Sequence, residues 1–213
     1  NPQLSTPPTH QASPTVVLFD KQGIKVFACQ LPDDTPRRGP GRALAERAAI
    51  KRLLREAFPG DRAITIGHHP SGAPFLTRED DRLWATPLPS ISVSHCSRMA
   101  AIAIAPAHTR IGIDCESGDR MDTLQRTAHK FLSPEQTEAW GEYPATLWAW
   151  CVKEAAYKAA GQPGLALAWI PLPLEIPLGA PTPDSVIEIS GNSYNVMQVD
   201  TLDLPAVLML VSG

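Results

Sequence analysis

The sequence predicts an α+β protein of two lobes, each a small antiparallel sheet packed with helices. Short runs rich in β-branched residues recur along the chain, bounded by turn residues. Two longer stretches instead repeat their apolar residues at helical spacing, one around Ile50–Phe58 and one over Ala145–Ala160. The polar turn Pro106–Thr109 separates two apolar strands and marks a boundary. The expected organisation is therefore a tail over residues 1–14, a first lobe over 15–106 and a second lobe over 107–213. A chain of 213 residues can bury a substantial core as one domain or as two such lobes.

Each element has a local reason. Residues 1–14 are rich in Pro, Thr, Ser and Gln without apolar periodicity, which predicts a disordered tail. Val16–Phe19 and Ile24–Cys29 alternate as strands around an Asp20–Gly23 turn. After the loop Pro32–Gly41, Ile50, Leu53, Leu54, Ala57 and Phe58 line one helical face that Pro59-Gly60 ends. Strands are expected over Ala63–Ile66, Ile91–Ser94 and Met99–Ile104. In the second lobe, Ile111–Glu116 reads as a strand and Thr123–Lys130 as a helix. Ser133-Pro134-Glu135-Gln136 opens another helix, with Ser as the cap, Pro in the first turn and Gln three residues on. The helix Ala145–Ala160 stops at Gly161. A Pro-rich loop, Pro171–Pro183, leads to strands Ser185–Ile189, Tyr194–Val199 and Ala206–Val211, with Gly191-Asn192 as the first hairpin turn.

Composition narrows the function. A net charge of −3 gives no basic field for nucleic acid. No apolar stretch reaches the length of a membrane span, and the first residues lack a signal-like apolar region, so a soluble cytoplasmic protein is expected. Cys29, Cys96, Cys115 and Cys151 form no C-x-x-C pair and sit among apolar or small residues. They read as free structural thiols.

The chemistry concentrates in two segments. Asp114 and Glu116 lie two apart on a strand and so share a face. Trp150-Cys151-Val152-Lys153-Glu154-Ala155-Ala156-Tyr157-Lys158 puts Glu154 and Lys158 one helical turn apart. Three carboxylates form a hard oxygen set suited to Mg²⁺, and a lysine beside them suits a phosphate. Taken singly, the D-x-E is a solvated strand end and the Glu/Lys pair a surface salt bridge. Jointly, Asp114 ends an apolar run and Glu154 lies in an otherwise apolar helix, where unpaired charge is costly. Ser94 and His95 end a strand leading toward Asp114. Arg47, Lys51 and Arg55 form a basic stripe, either a solvated face or a holder for a polyanion.

Val93-Ser94-His95, Gly112-Ile113-Asp114-Cys115-Glu116, Phe131-Leu132-Ser133-Pro134-Glu135 and the Trp150–Lys158 segment, in that order, resemble the 4′-phosphopantetheinyl transferases. The similarity is to the larger, two-lobed, surfactin-synthetase-activating type. It is strong from Ser90 to Leu167. It implies a monomeric pseudo-two-fold fold with its site between the lobes. It also implies transfer of the phosphopantetheine arm of coenzyme A to a serine of an apo acyl or peptidyl carrier protein, with release of adenosine 3′,5′-bisphosphate. By the same resemblance Asp114, Glu116 and Glu154 hold Mg²⁺, while Glu154, Lys158 and Asp114 carry the catalysis. Arg47, Ser94, His95 and Lys153 bind coenzyme A. The implied partners include no nucleic acid and no membrane.

One position departs from the pattern. Where such enzymes carry Gly-Lys-Pro or Gly-Arg-Pro, this chain has Gly72-Ala73-Pro74, without a cation; His68 and His69 stand nearby. That departure motivates a second reading, a non-catalytic relative that binds coenzyme A or carrier protein. A third, a Cys/His hydrolase on His95-Cys96, requires neighbours on a strand to point the same way, which they do not.

Overall fold

The computed structural model describes residues 14–80, 82, 87–142, 144–176, 178, 182–204 and 206–213. The expected tail, apart from Pro14, lies outside the described residues, as do parts of the Pro-rich loop after residue 176. The first sheet holds β1 (Thr15–Lys21), β2 (Ile24–Gln30), β5 (Ser90–His95) and β6 (Met99–Ala105), in the order β1-β2-β6-β5. Helix α1 (Pro40–Ala57) and the two-stranded hairpin β3 (Ile64–His68) and β4 (Pro74–Arg78) lie between β2 and β5 in the chain. The second sheet holds β7 (Ile111–Glu116), β8 (Val186–Ile189), β9 (Asn192–Val199) and β10 (Val207–Ser212), in the order β7-β10-β9-β8. Between β7 and β8 come α2 (Met121–Thr127), α3 (Pro134–Trp140) and α4 (Ala145–Ala160). All the pairings within the sheets are antiparallel. The α+β class expected from the sequence is the class observed.

One topological unit is used twice. Strand, helix and hairpin follow as β2–α1–β5–β6 and again as β7–α4–β9–β10, and in both sheets the last strand lies between the other two. The inner faces of both sheets meet in one core, where Ile24, Val26, Met99 and Ala101 pack with Ile111, Ile113, Leu208 and Leu210. Alternation makes this possible, because the other face of each sheet receives its own helix. Leu53 and Leu54 of α1 join Phe27, Ala100 and Ile102, while Val152, Ala155 and Ala159 of α4 join Val196, Met209 and Val211. The two four-stranded sheets thus share a central hydrophobic layer.

Several turns follow from residue chemistry. The β1–β2 loop is Gln22-Gly23 and the β8–β9 loop is Ser190-Gly191, both with positive φ at each position. That is the mirror-image turn whose twist matches a hairpin, and it places the second turn one residue before the expected Gly191-Asn192. Ser133 and Gln136 form the expected reciprocal cap at α3. Gly161 ends α4 in the left-handed conformation. Strand β4 was not expected from the sequence. It begins at a proline, which is admissible at the first residue of an outer strand. Among the described residues no helix is long and apolar enough to cross a membrane.

Candidate functional site

Strand β7 is buried at every position, although it carries two carboxylates. Its odd residues Ile111, Ile113 and Cys115 enter the shared core. Its even residues face α4, which rests directly on the strand at Gly112. A Cβ built on Gly112 would lie 1.9 Å from the Ala155 carbonyl oxygen and 2.7 Å from the Ala159 nitrogen. Only glycine permits that approach, and small residues on the helix complete it. The approach brings Lys158 to Asp114, so the glycine before the acidic residues acts on the chemistry through packing.

The ammonium of Lys158 donates to Asp114 Oδ1 at 2.7 Å and to the Ile113 carbonyl at 2.9 Å. Its partner is thus the strand rather than Glu154, and the bland surface-pair reading of the helix does not hold. Ser94 donates its hydroxyl proton to the same Oδ1 at 2.9 Å and accepts from the Cys115 N–H at 3.2 Å. Ser92 accepts from the Ile113 N–H at 3.0 Å. Strands β5 and β7 therefore run side by side with two serine hydroxyls in place of a backbone ladder, one of which fixes the carboxylate. Ser94 borders the cleft, but its hydroxyl is committed to this role.

Glu116 pairs through Oε1 with Arg120, whose guanidinium lies 5.6 Å from the Trp150 ring. Two carboxylate oxygens, Asp114 Oδ2 and Glu116 Oε2, remain buried without a hydrogen-bond partner. Buried acceptors are normally satisfied, so this pair marks a place for a cation. Burial pushes the Glu116 carboxyl up to about 7, with Arg120 pulling the other way and Asp114 adding to the rise. Burial, then the charge of Asp114, also raises Glu154. Glu154 makes no hydrogen bond among the described residues. These side chains line one cleft of about 750 Å³, open between the sheets, a size suited to a small-molecule ligand.

The three acidic residues share the cleft, but no group of three His, Cys, Asp or Glu close enough to hold a metal ion occurs among the described residues. The three-carboxylate ligand set expected from the sequence is thus looser than anticipated. Lys158 and Arg120 each draw one oxygen of Asp114 and Glu116 aside. The donor set still fits Mg²⁺, which takes one or two carboxylates and completes its octahedron with water and phosphate oxygens.

From the first sheet, His95 lines the cleft and sets Nδ1 3.1 Å from Glu46 Oε1. Glu46 also pairs with Arg42, which donates to the Cys96 carbonyl at 2.6 Å. Arg47, one residue on, is exposed and outside the cleft lining, because a single helical step turns it about 100° from Glu46. The loop Ser71–Pro74 does border the cleft, with Ala73 exposed, and His68 lies beside it. His69 packs on Phe75 at 4.6 Å instead.

Lys153 does not fit a ligand-binding role. It is fully buried, lies outside the cleft lining and donates to the carbonyls of Leu167 and Ile170. Burial lowers its ammonium to about 7. The residues that sequence reasoning missed are Arg120, Arg42 and Glu46. Only the four-residue spacings Arg42/Glu46 and Glu116/Arg120 could have signalled them. Cys96 is buried beside Cys115 in the core while His95 faces Glu46, so the two cannot act as a nucleophile and base. All four cysteines are free and buried.

The family model described as the 4′-phosphopantetheinyl transferase superfamily matches residues 110–195. The matched stretch holds Asp114, Glu116, Glu154 and Lys158, and its α+β fold is consistent with that superfamily. A search of curated proteins returns no match.

Proposed function

We propose that the chain transfers the 4′-phosphopantetheine arm of coenzyme A to the serine hydroxyl of an apo acyl or peptidyl carrier protein and releases adenosine 3′,5′-bisphosphate, as the two-lobed transferases do. The observation that carries this reading is the pair of buried, unpartnered oxygens on Asp114 and Glu116, with Lys158 fixed beside them by two strand atoms and a helix–strand contact. The superfamily match over the same residues supports it.

The reaction forms a bond from the serine oxygen to phosphorus and breaks the anhydride bond to the bisphosphate. Asp114 and Glu116 would hold Mg²⁺ through their unpartnered oxygens, with Glu154 across the cleft, and the ion when bound would supply charge stabilisation to the pyrophosphate oxygens. Lys158 uses two of its three N–H groups on β7. The third is free to neutralise charge on the phosphoryl group under attack. Glu154 accepts the serine proton. Burial and the charge of Asp114 raise its affinity for protons, which favours that role. His95, held by Glu46, presents its other ring nitrogen to the nucleotide phosphates.

Incubation with coenzyme A, Mg²⁺ and a panel of apo-carriers, read by intact mass, tests the proposal. A carrier gaining one phosphopantetheine is the expected result. The uncharged Ala73 on the cleft wall favours one other reading, a scaffold that binds without turnover. Metal-dependent coenzyme A binding by calorimetry, with no carrier modified, would decide for it.

A further inference from the structure

Lys153 is the charged side chain of α4 that the proposed transfer leaves without a task. Its ammonium donates to the Leu167 carbonyl at 2.8 Å and to the Ile170 carbonyl at 2.5 Å. The Ile170 carbonyl also accepts from Gln136 Nε2 of α3 at 3.0 Å. Leu167–Trp169 is a single 3₁₀ turn, closed by the Ile170 N–H on the Leu167 carbonyl at 3.1 Å. Lys153 and Gln136 therefore clamp the end of that turn from two helices. No carboxylate pairs with Lys153 among the described residues.

A buried cation without a counter-ion is a poor way to add stability, since an aliphatic side chain fills the same space without the desolvation cost. What the ammonium adds is direction. Its N–H groups fix two carbonyls of one irregular segment to the helix that carries Glu154 and Lys158. Upstream of the clamp, Gly161, Gln162, Pro163 and Gly164 form a wall of the cleft and are exposed. Gly161 and Gly164 both have positive φ; the Gly161 N–H donates to the Tyr157 carbonyl of α4 at 3.1 Å, Gln162 accepts from the Ser190 hydroxyl at 2.7 Å, and the partly buried Leu165 and Leu167 join the apolar cluster under α4.

We propose that Lys153 is a positioning residue. By latching the Leu167–Ile170 turn to α4 it holds the Gly161–Gly164 wall at a fixed distance from Glu154 and Lys158, and so sets the fit of the substrate bound in the cleft. The consequence for substrate rests on the transfer reading above; the latch itself does not.

Amide hydrogen exchange on the free protein tests the latch without any substrate. In Lys153→Met, exchange over residues 161–172 should speed up by about tenfold or more while the β7 and β10 amides keep their native rates. The melting temperature should hold or rise. KM for coenzyme A should increase several-fold with kcat changed less, and Lys153→Gln, which keeps N–H donors, should recover part of both effects. Should Lys153→Met not fold, Gln136→Ala decides, with the same local loosening expected at smaller size. Native exchange in that segment, or an increase spread evenly over the second sheet, would overturn the proposal. If the segment loosens but the native protein modifies no carrier, the latch stands and the transfer reading fails. If the native protein transfers and the segment in the variant exchanges at the native rate, the latch alone fails.

Discussion

Helices α1 and α4 hold equivalent places in the repeated unit, each packed on the first and last strands of its triplet, yet they treat charge in opposite ways. Helix α1 buries three residues, Ala49, Leu53 and Leu54, and leaves Arg47, Lys51 and Arg55 in solvent. Helix α4 buries nine, Lys153 among them, and holds Glu154 and Lys158 half-buried against a strand. The same topology thus yields a solvated wall on one side and a reactive one on the other. The superfamily match begins at residue 110 and takes in α4 alone of the two helices. Charge placed where water cannot reach needs a reason beyond solubility, and here the reason is the cleft.

The largest test of this contrast removes the buried charges of the second unit. Asp114→Ala and Glu154→Ala should each lower transfer by a hundredfold or more, roughly the cost of losing a well-placed charge-stabilising group, with the fold intact. Near-normal transfer by both would erase the functional difference between the helices. Glu116→Gln carries a second readout in metal-free protein. Its folded carboxyl titrates near 7, above the usual carboxylate range, so the folded state binds more protons than the unfolded one between those values. Stability therefore falls as pH rises through that window. Thermal melts of the native protein should show that decline, and the Gln variant should flatten it.

Next in size is the contact that holds α4 in place. Gly112→Ala forces a Cβ into the Ala155 backbone and should cost about 3 kcal/mol, at the upper end for overpacking. Gly118→Ala, where nothing lies within 4 Å of the added carbon and φ is not positive, should stay within about 0.5 kcal/mol. Equal, small losses in chemical melts would mean that α4 can shift away from β7 without consequence.

These contrasts explain what the sequence disclosed. The bounds of α4, the cap at Ser133 and the facing of Asp114 and Glu116 were legible, because periodicity and capping act over a few residues and a carboxylate in an apolar run is conspicuous. The partners were not. Arg42 meets the Cys96 carbonyl across 54 positions and Lys158 meets Asp114 across 44, separations at which no local pattern speaks. Lys153 and Glu154 are neighbours in one motif, yet a helix turns adjacent side chains about 100° apart. One therefore faces the cleft and the other the loop behind it. The basic stripe on α1 is ambiguous for the opposite reason. Exposed arginines cost nothing to place, so their spacing does not reveal which of them reaches the site.

That ambiguity sets the third test. Glu46→Ala removes the one acidic contact of His95 among the described residues and should raise KM for coenzyme A by about tenfold, about 1.4 kcal/mol. Arg47→Ala should change it less than about twofold, as expected of an exposed charge. Dephospho-coenzyme A beside coenzyme A shows whether the 3′-phosphate is the group that is felt. A large effect at Arg47 and none at Glu46 would place the nucleotide on the outer face of α1 and make that helix a second binding wall.

The smallest effect concerns the β3–β4 loop, which meets the cleft without a charge. Ala73 is exposed on the cleft wall, between Gly72 at φ +87° and Pro74 at the start of β4. A long cation there has a clear path toward a bound polyanion and disturbs no buried contact. Solvent screening and the ordering of a flexible side chain reduce its contribution to about 1 kcal/mol, or roughly fivefold in affinity. Ala73→Lys should therefore lower KM for coenzyme A several-fold, leave kcat nearly unchanged because the contact is remote from Lys158 and Glu154, and leave the melting temperature where it was. Unchanged or poorer coenzyme A kinetics would mean that His68, on the same wall, already serves the nucleotide. The uncharged loop would then be a settled feature of the first lobe rather than a lost cation, and Ala73→Lys combined with His68→Ala would restore the fivefold gain.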